Sequence, residues 1–191
     1  MAGREPDGGG ATGHDLAALL LDRIIDVPDY PKPGVGFKDI GPVLSDHVAF
    51  AGAVDAIVNH YGRGTVDKVV GIEARGFLVA APVAYHFGAG FVPVRKPGKL
   101  PQATHEVAYD LEYGSNVLQV HRGAFAPGER VLVVDDVLAT GGTAAAAVGL
   151  VVEAGATPVG LSVLMELSFL GGRAAMAAAH PDLDVHTLLT Y

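Results

Sequence analysis

The segment best equipped for chemistry is Val131–Thr143, where an apolar run leads into two acids and then a loop of small residues. Backbone N–H groups of a small-residue loop can close around a phosphate, and a following helix adds a favourable dipole. Asp135 and Asp136 only accept hydrogen bonds when ionised, so they suit sugar hydroxyls or a Mg²⁺ ion. No lysine precedes Thr143, which excludes a Walker A loop. The pattern predicts a site for a phosphate joined to a sugar.

Basic residues at two other places could complete such a site. Arg75 lies in a Glu-Ala-Arg-Gly turn after the apolar run Lys68–Ile72. Its fork of N–H donors suits the oxygens of a pyrophosphate, although a surface arginine is the plainer alternative. Arg95, Lys96 and Lys99 cluster among glycine and proline, a composition that suits a closing lid. The alternative for this cluster is a set of solubilising charges on a loop.

The elements that must position these residues alternate between helix and strand. Helical spacing of apolar residues predicts helices at 14–26, 46–61, 77–87, 143–154 and 172–179. Short apolar runs predict strands at 68–72, 90–95, 131–134, 157–166 and 184–189. The alternation predicts an α/β fold with a central, mostly parallel, twisted sheet flanked by helices.

Three segments depart from this alternation. Apolar and polar residues alternate from Thr104 to Val120, which predicts an antiparallel hairpin that projects from the sheet and turns near residues 113–115. Prolines and glycines predict an irregular segment at 27–36. Glycine-rich residues 1–13 are predicted to form a disordered tail before a single domain at 14–191.

Composition excludes several classes of protein. Half of the 191 residues are hydrophobic, so the chain can bury a sizeable core. The 13 basic and 21 acidic residues give a net charge of −8, which disfavours binding to nucleic acid. The absence of cysteine excludes disulfides, thiolate metal sites and a cysteine nucleophile. Without a membrane-length apolar run or a secretory signal, the expectation is a cytoplasmic protein that does not bind membranes.

At Val131–Thr143 the sequence resembles the type I phosphoribosyltransferases, which bind phosphoribosyl pyrophosphate (PRPP) through such a segment. Further motifs in matching order make the chain most similar to the adenine-specific branch of that family. These motifs lie at 31–40, 71–77, 95–101, 111–114 and 165–167. The resemblance covers about residues 14–191 and implies an N-terminal hood at about 14–45 and a mobile lid at about 96–114.

The resemblance implies a purine salvage enzyme that converts adenine and PRPP to AMP and pyrophosphate. Glu112 is then the catalytic carboxylate that manages the purine proton. The residues implied to bind the ribose and its 5-phosphate are Asp135, Asp136, Ala139, Thr140, Gly141, Gly142 and Thr143. Those implied for pyrophosphate are Arg75, Arg95, Lys96 and Lys99. Those implied for adenine are Val35, Phe37, Lys38 and Leu167.

The same resemblance implies a homodimer and a Mg²⁺ cofactor. We expect PRPP to carry the ion near Asp135 and Asp136, with no direct side-chain ligation. It also implies a non-proline cis peptide, placed here at Ala74–Arg75. Two positions depart from the family pattern, because some relatives carry arginine where Lys38 stands and a basic residue is common where Pro97 stands. A xanthine- or guanine-type enzyme and a non-catalytic PRPP-sensing regulator remain the alternatives.

Overall fold

The computed structural model describes residues 13–111 and 114–191. Residues 1–12 of the predicted tail, and Glu112 and Tyr113 at the predicted lid turn, lie outside the described residues. The first elements in chain order are α1 (Gly13–Arg23), β1 (Ile25–Val27), β2 (Phe37–Asp39), α2 (Gly41–Ser45) and α3 (His47–Tyr61). The next are β3 (Lys68–Ile72), α4 (Gly76–Phe87), β4 (Gly90–Val94), β5 (Thr104–Leu111) and β6 (Gly114–His121). The last are β7 (Arg130–Leu138), α5 (Gly142–Glu153), β8 (Thr157–Glu166), a 3₁₀ turn (Ser168–Leu170), α6 (Gly172–Ala179) and β9 (Val185–Thr190).

The chain divides into two compact units, one up to Gly52 and one from Ala53 onward. In the first unit, β1 and β2 form a short antiparallel ribbon that includes part of the segment predicted to be irregular. Helix α1 ends three residues before the predicted end at Asp26, because Ile25 and Asp26 enter this ribbon. Three-residue strands are too short to give a readable alternation in the sequence.

The second unit contains the predicted parallel sheet, with strand order β4–β3–β7–β8–β9. Helix α4 packs on β3, β4 and β7, and α5 packs on β7 and β8. Residues Val131–Val134 of the central strand β7 are fully buried. An unbroken apolar run is what a strand covered on both faces requires, so the predicted fold class is confirmed.

Strand β7 continues four residues past its predicted end at Val134. Asp135 and Val137 keep a parallel register with Val163 and Met165 of β8. Polar side chains do not interrupt this pairing, because the ladder is made by backbone groups. Both acids therefore belong to the strand and take their positions from the sheet.

The antiparallel pairing of the predicted hairpin is confirmed, with β5 and β6 in register from Thr104–His121 to Leu111–Gly114. Its base is part of the core, since Leu118 and Val120 are fully buried. A backbone bridge between Arg95 and Gln119 also joins β6 to the end of β4. The β5–β6 hairpin thus rises from a packed base.

No helix in the two described stretches of the chain is long and apolar enough to cross a membrane.

A stacked pair of histidines lies where the end of α3 meets β9. The rings of His60 and His186 stack with centroids 3.9 Å apart, and the ring of Tyr61 packs edge-on against His60. Nε2 of His60 lies 2.7 Å from Asp184 Oδ2, and Nδ1 of His186 lies 3.0 Å from Ser162 Oγ. Burial lowers the pKa of His186 from 6.5 to about 4, an effect reinforced by His60 and opposed by Asp184. The fold therefore holds His186 neutral.

We predict that His186→Asn makes the stability less sensitive to acid. Between about pH 6.5 and 4 the unfolded chain takes up a proton at His186 that the folded chain does not. The free energy of unfolding of the natural chain should therefore fall as the pH falls through this window, and that of the His186→Asn variant should fall less. Denaturant unfolding across the pH range measures both slopes. Replacing the exposed His47 by glutamine is the control, and parallel slopes for the natural chain and His186→Asn would contradict the prediction.

Candidate functional site

A pocket of about 210 Å³ opens where β3 and β7 end. Its lining combines the Arg75 turn, the two acids and the small-residue loop at 139–143. The lining residues are Glu73, Ala74, Arg75, Asp135, Asp136, Val137, Leu138, Ala139, Thr140, Gly141, Thr143 and Ala144. Ligands of open α/β sheets bind at this edge, outside the carboxyl ends of the strands. The structure therefore brings together the separate motifs that the sequence singled out.

The two acids lie at the floor of the pocket. Asp136 is only 4% exposed, and the Asp135 carboxylate accepts a hydrogen bond from the Asp136 backbone N–H at 2.9 Å. Burial raises the pKa of both carboxyls, and the charge of Asp136 raises that of Asp135 further. The nearby Arg75 guanidinium opposes this rise in both. Because an ionised carboxylate is costly to keep away from water, these two carboxylates favour a ligand that brings hydroxyl groups or a cation.

Arg75 faces the second of these acids from the turn after β3. Its Nη2 lies 3.0 Å from Asp136 Oδ2, although that oxygen accepts no well-directed hydrogen bond from the described residues. Gly76 lets this turn approach β7, because a Cβ there would lie 2.5 Å from Asp135 Oδ1. The expected non-proline cis peptide is present but one bond earlier than predicted, at Glu73–Ala74. The bonds before and after Ala74 cannot be told apart from residue types alone.

The loop at 139–143 has the backbone geometry of an anion-binding turn. Gly141 adopts φ +89°, a left-handed conformation that glycine reaches without steric cost, and it caps the N-terminus of α5. The helix begins at Gly142, one residue before the predicted start. Its first N–H groups and its dipole therefore face the same pocket as Arg75.

The predicted lid cations do not line this pocket. Arg95 donates from Nε to Glu73 Oε2 at 2.9 Å and from Nη1 to the Lys99 carbonyl at 3.2 Å. Lys96 and Lys99 have exposed side chains, and only the backbone N–H of Lys96 contacts Glu73. Burial tends to raise the pKa of Glu73, but the hydrogen bonds from Arg95 and Lys96 outweigh it, so the pKa is lowered. Arg95 is thus occupied with an ionised carboxylate at the pocket wall.

The predicted base-binding residues lie in both units. In the first, the Lys38 side chain forms an ion pair with Asp26 across the β1–β2 ribbon, and Phe37 packs edge-on against Tyr30 at 5.0 Å. In the second, Leu167 donates its N–H to the Leu138 carbonyl at 2.9 Å, beside the 139–143 loop. Val35, also in the first unit, is partly buried. Glu112, the predicted catalytic carboxylate, lies outside the described residues.

Sequence reasoning missed the support beneath the 139–143 loop. A Cβ on Gly172 would collide with the Ala139 carbonyl oxygen, and one on Gly141 would lie 2.7 Å from the Gly172 carbonyl oxygen. Arg173, the next residue, donates three hydrogen bonds to the buried carboxylate of Glu166. The start of α6 is therefore packed directly under the loop. The paired glycines at 171–172 were the available signal, but a double glycine also fits an ordinary turn.

Glu73 is a second residue that the sequence did not single out. It stands two residues before Arg75, in the turn predicted to bind an anion, where a carboxylate looks unfavourable. Its partner Arg95 comes from the end of the neighbouring strand β4. Only the parallel pairing of β3 with β4 reveals that the two charges meet.

We predict that Gly172→Ala destabilises the protein by about 1–3 kcal/mol, the usual cost of forcing an extra methyl into close packing. The added Cβ must displace the Ala139 carbonyl. Urea unfolding of the variant and the natural chain measures the difference. Gly149→Ala is the matched control, since its Cβ would meet nothing within 4 Å and alanine favours the interior of α5. Equal stability of the Gly172→Ala variant and the natural chain would show that the loop is not held by this contact.

Comparison with known proteins agrees with this geometry. Residues 45–183 match the family model described as the phosphoribosyl transferase domain. The adenine phosphoribosyltransferase of Acidothermus cellulolyticus is 63% identical over 165 residues, which cover 86% of this chain and 93% of that protein.

Solved structures agree in fold over nearly the whole chain. The adenine phosphoribosyltransferase of Rhodothermus marinus is 45% identical, with a TM-score of 0.87, over 92% of this chain and 98% of that one. The enzyme of Saccharomyces cerevisiae, solved with adenine and an imino-altritol bisphosphate, is 36% identical with a TM-score of 0.85, over 92% and 99% of the two chains. With the pocket, the fold and the relatives in agreement, this chain belongs to the adenine phosphoribosyltransferase family.

Proposed function

We propose that this chain transfers the phosphoribosyl group of PRPP to adenine, giving AMP and pyrophosphate. The observation that carries the proposal is the pocket at the ends of β3 and β7. It joins a buried and a partly buried acid, an arginine and a small-residue loop at a helix N-terminus. This set matches the three parts of PRPP, which are a ribose with hydroxyls, a 5-phosphate and a pyrophosphate. No residue needs to act as a covalent nucleophile.

In this proposal the loop at 139–143 binds the 5-phosphate. The backbone N–H groups of Ala139 to Gly142 and the hydroxyls of Thr140 and Thr143 are the donors. Asp135 and Asp136 accept hydrogen bonds from the ribose hydroxyls. Held in this way, the sugar presents C1′ to the base, and positioning replaces random collision.

Positive charge opposes the negative charge that gathers on the departing pyrophosphate. Arg75 already lies in the pocket, and Arg95, Lys96 and Lys99 stand at the start of the lid. We infer that lid closure brings the exposed Lys99 toward the leaving group, while Arg95 keeps the lid base on Glu73. Pro97 leaves the lid with fewer cations than relatives with a basic residue there.

Adenine itself is assigned to Val35, Phe37, Lys38 and Leu167. Aromatic and apolar side chains such as Phe37 and Leu167 suit the two faces of a purine. The ion pair of Lys38 with Asp26 supports recognition of the base edge by backbone groups near Val35, because the lysine charge is already engaged. We place Glu112 at the purine, where a carboxylate shielded by the lid can take the proton that the base loses.

The pocket suits a Mg²⁺ ion carried by PRPP. Mg²⁺ takes oxygen ligands and is commonly bound by one or two carboxylates together with substrate phosphates. In this proposal PRPP carries the ion, and Asp135 and Asp136 lie near it without ligating it directly, as Asp136 Oδ2 is already ion-paired with Arg75. The two described stretches hold no cluster of three or more histidine, aspartate or glutamate residues that could bind a metal. When bound, the ion would neutralise charge on the pyrophosphate.

The proposal includes a homodimer in the cytoplasm. Leu78 and Tyr85 lie seven residues apart on one face of α4 and are 50% and 89% exposed. Phe91, on the edge strand β4, is 38% exposed. A second copy of the chain would cover these apolar side chains. Sedimentation equilibrium should give twice the mass of the chain, and a monomer mass would contradict the assignment.

The activity is tested by mixing the protein with PRPP, Mg²⁺ and one purine at a time. Pyrophosphate release should be fastest with adenine, compared with hypoxanthine, guanine and xanthine. A preference for guanine or xanthine would overturn the choice of base. Tight PRPP binding without turnover of any purine would instead indicate a PRPP sensor.

We predict that Glu112→Gln lowers kcat by about 10²–10⁴-fold, the usual contribution of a positioned acid–base group. Glutamine keeps the size of the side chain but cannot accept the purine proton. Steady-state kinetics and calorimetric titration with PRPP measure turnover and binding separately. PRPP affinity should stay near that of the natural chain, and Glu153→Gln at the end of α5 is the control. Unchanged turnover in Glu112→Gln would remove this residue from the mechanism.

We predict that replacing both Asp135 and Asp136 by asparagine abolishes PRPP binding and leaves the fold intact. The amides cannot match the paired acceptors that the ribose hydroxyls and the metal-bound substrate require. Because burial raises the pKa of both carboxyls, their removal should not destabilise the chain near neutral pH. Titration with PRPP and thermal unfolding measure the two effects, and retained PRPP affinity would refute the role of the acids.

A further inference from the structure

A tyrosine from the lid hairpin contacts the 139–143 loop. The Tyr109 hydroxyl on β5 lies 3.2 Å from Thr143 Oγ1, in the first turn of α5. Thr143 lines the pocket. The Tyr109 side chain is partly buried and packs with Val107 against the core cluster beneath the sheet edge. The proposed function gives this tyrosine no role.

We propose that Tyr109 is a positioning residue for the 5-phosphate, because it orients the Thr143 hydroxyl toward that anion. This inference rests on the proposed function. A phosphate oxygen only accepts hydrogen bonds, and a hydroxyl has one proton to donate. Thr143 donates to Tyr109 in the present structure, so it must turn its proton to the phosphate when the ligand binds.

Tyr109 can compensate for that change. Once Thr143 donates to the phosphate, its oxygen becomes an acceptor for the Tyr109 O–H at the same separation. The two hydroxyls then form a chain that ends on the anion, and each hydrogen bond in such a chain polarises the next. Without the phenolic oxygen, Thr143 would lose this partner in both states.

Backbone pairing in the hairpin holds the Tyr109 phenol in place. Tyr109 pairs with Asn116 in the β5–β6 ladder, and the β6 strand is tied to Arg95 through Gln119. Glu112, the proposed catalytic carboxylate, follows three residues later in the chain. The contact with Thr143 therefore joins the outer half of the hairpin to the proposed 5-phosphate end of the pocket.

The experiment is calorimetric titration of Tyr109→Phe with AMP, PRPP and pyrophosphate. AMP and PRPP share the 5-phosphate, whereas pyrophosphate occupies only the leaving-group end. We expect AMP and PRPP affinities to fall by about threefold to tenfold, the range of one neutral hydrogen bond, with pyrophosphate affinity unchanged. KM for PRPP should rise by the same factor while kcat stays near its natural value. Thr157→Val, at the exposed first position of β8, also removes one hydroxyl and is the control.

A second pair of variants tests whether the effect passes through Thr143. In a Thr143→Val background, adding Tyr109→Phe should cause no further loss of AMP affinity, whereas in Thr143→Ser the full loss should return. Three results would overturn this inference and leave the proposed function standing. They are an undiminished loss of AMP affinity in the Thr143→Val background, unchanged AMP affinity in Tyr109→Phe, and an equal loss of affinity for pyrophosphate. Failure of the natural chain to bind AMP and PRPP would overturn the proposed function, and this inference with it.

Discussion

The structure depends on holding two neighbouring carboxylates, the buried Asp136 and the partly buried Asp135, in one pocket of a protein of net charge −8. Asp135 and Asp136 repel a phosphate unless fixed positive charge stands between them, and such repulsion is strong where water is excluded. Arg75 provides that charge from 3.0 Å away, and the N-terminus of α5 faces the same space. The turn after β3 must come close to β7 for Arg75 to reach the two acids. Gly76 allows this close approach, because a Cβ there would collide with Asp135.

The β5–β6 hairpin belongs to the same arrangement through two contacts, one at its base and one nearer its tip. Arg95 binds Glu73 at the pocket wall and pairs with Gln119 of the hairpin. Tyr109 reaches Thr143 on the loop at 139–143. The hairpin is therefore tied both to the pocket wall at Glu73 and to the loop at 139–143.

Much of the fold was predictable because its signals are local. The buried run Val131–Val134 predicts the central strand, and the period-two alternation from Thr104 predicts the hairpin. The predicted end of β7 at Val134 is wrong by four residues, because the acids interrupt the apolar run but not the backbone pairing that continues the strand. Within the site, Arg75, the acids and the loop meet as predicted. Arg95, Lys96 and Lys99 do not line the pocket, since Arg95 has a carboxylate partner that no local pattern reveals.

By itself, the sequence determined the order of elements, the family and the residue types that face a sugar phosphate, because each depends on neighbours along the chain. The tertiary structure alone decided which charges pair and which backbones touch. Glu73 and Arg95 are 22 residues apart, and Tyr109 and Thr143 are 34 apart. Gly141 and Gly172 come into contact only because β7 and β8 lie side by side and bring their following loops together. Such contacts depend on distances in space, which hydrophobic periodicity and motif spacing do not encode.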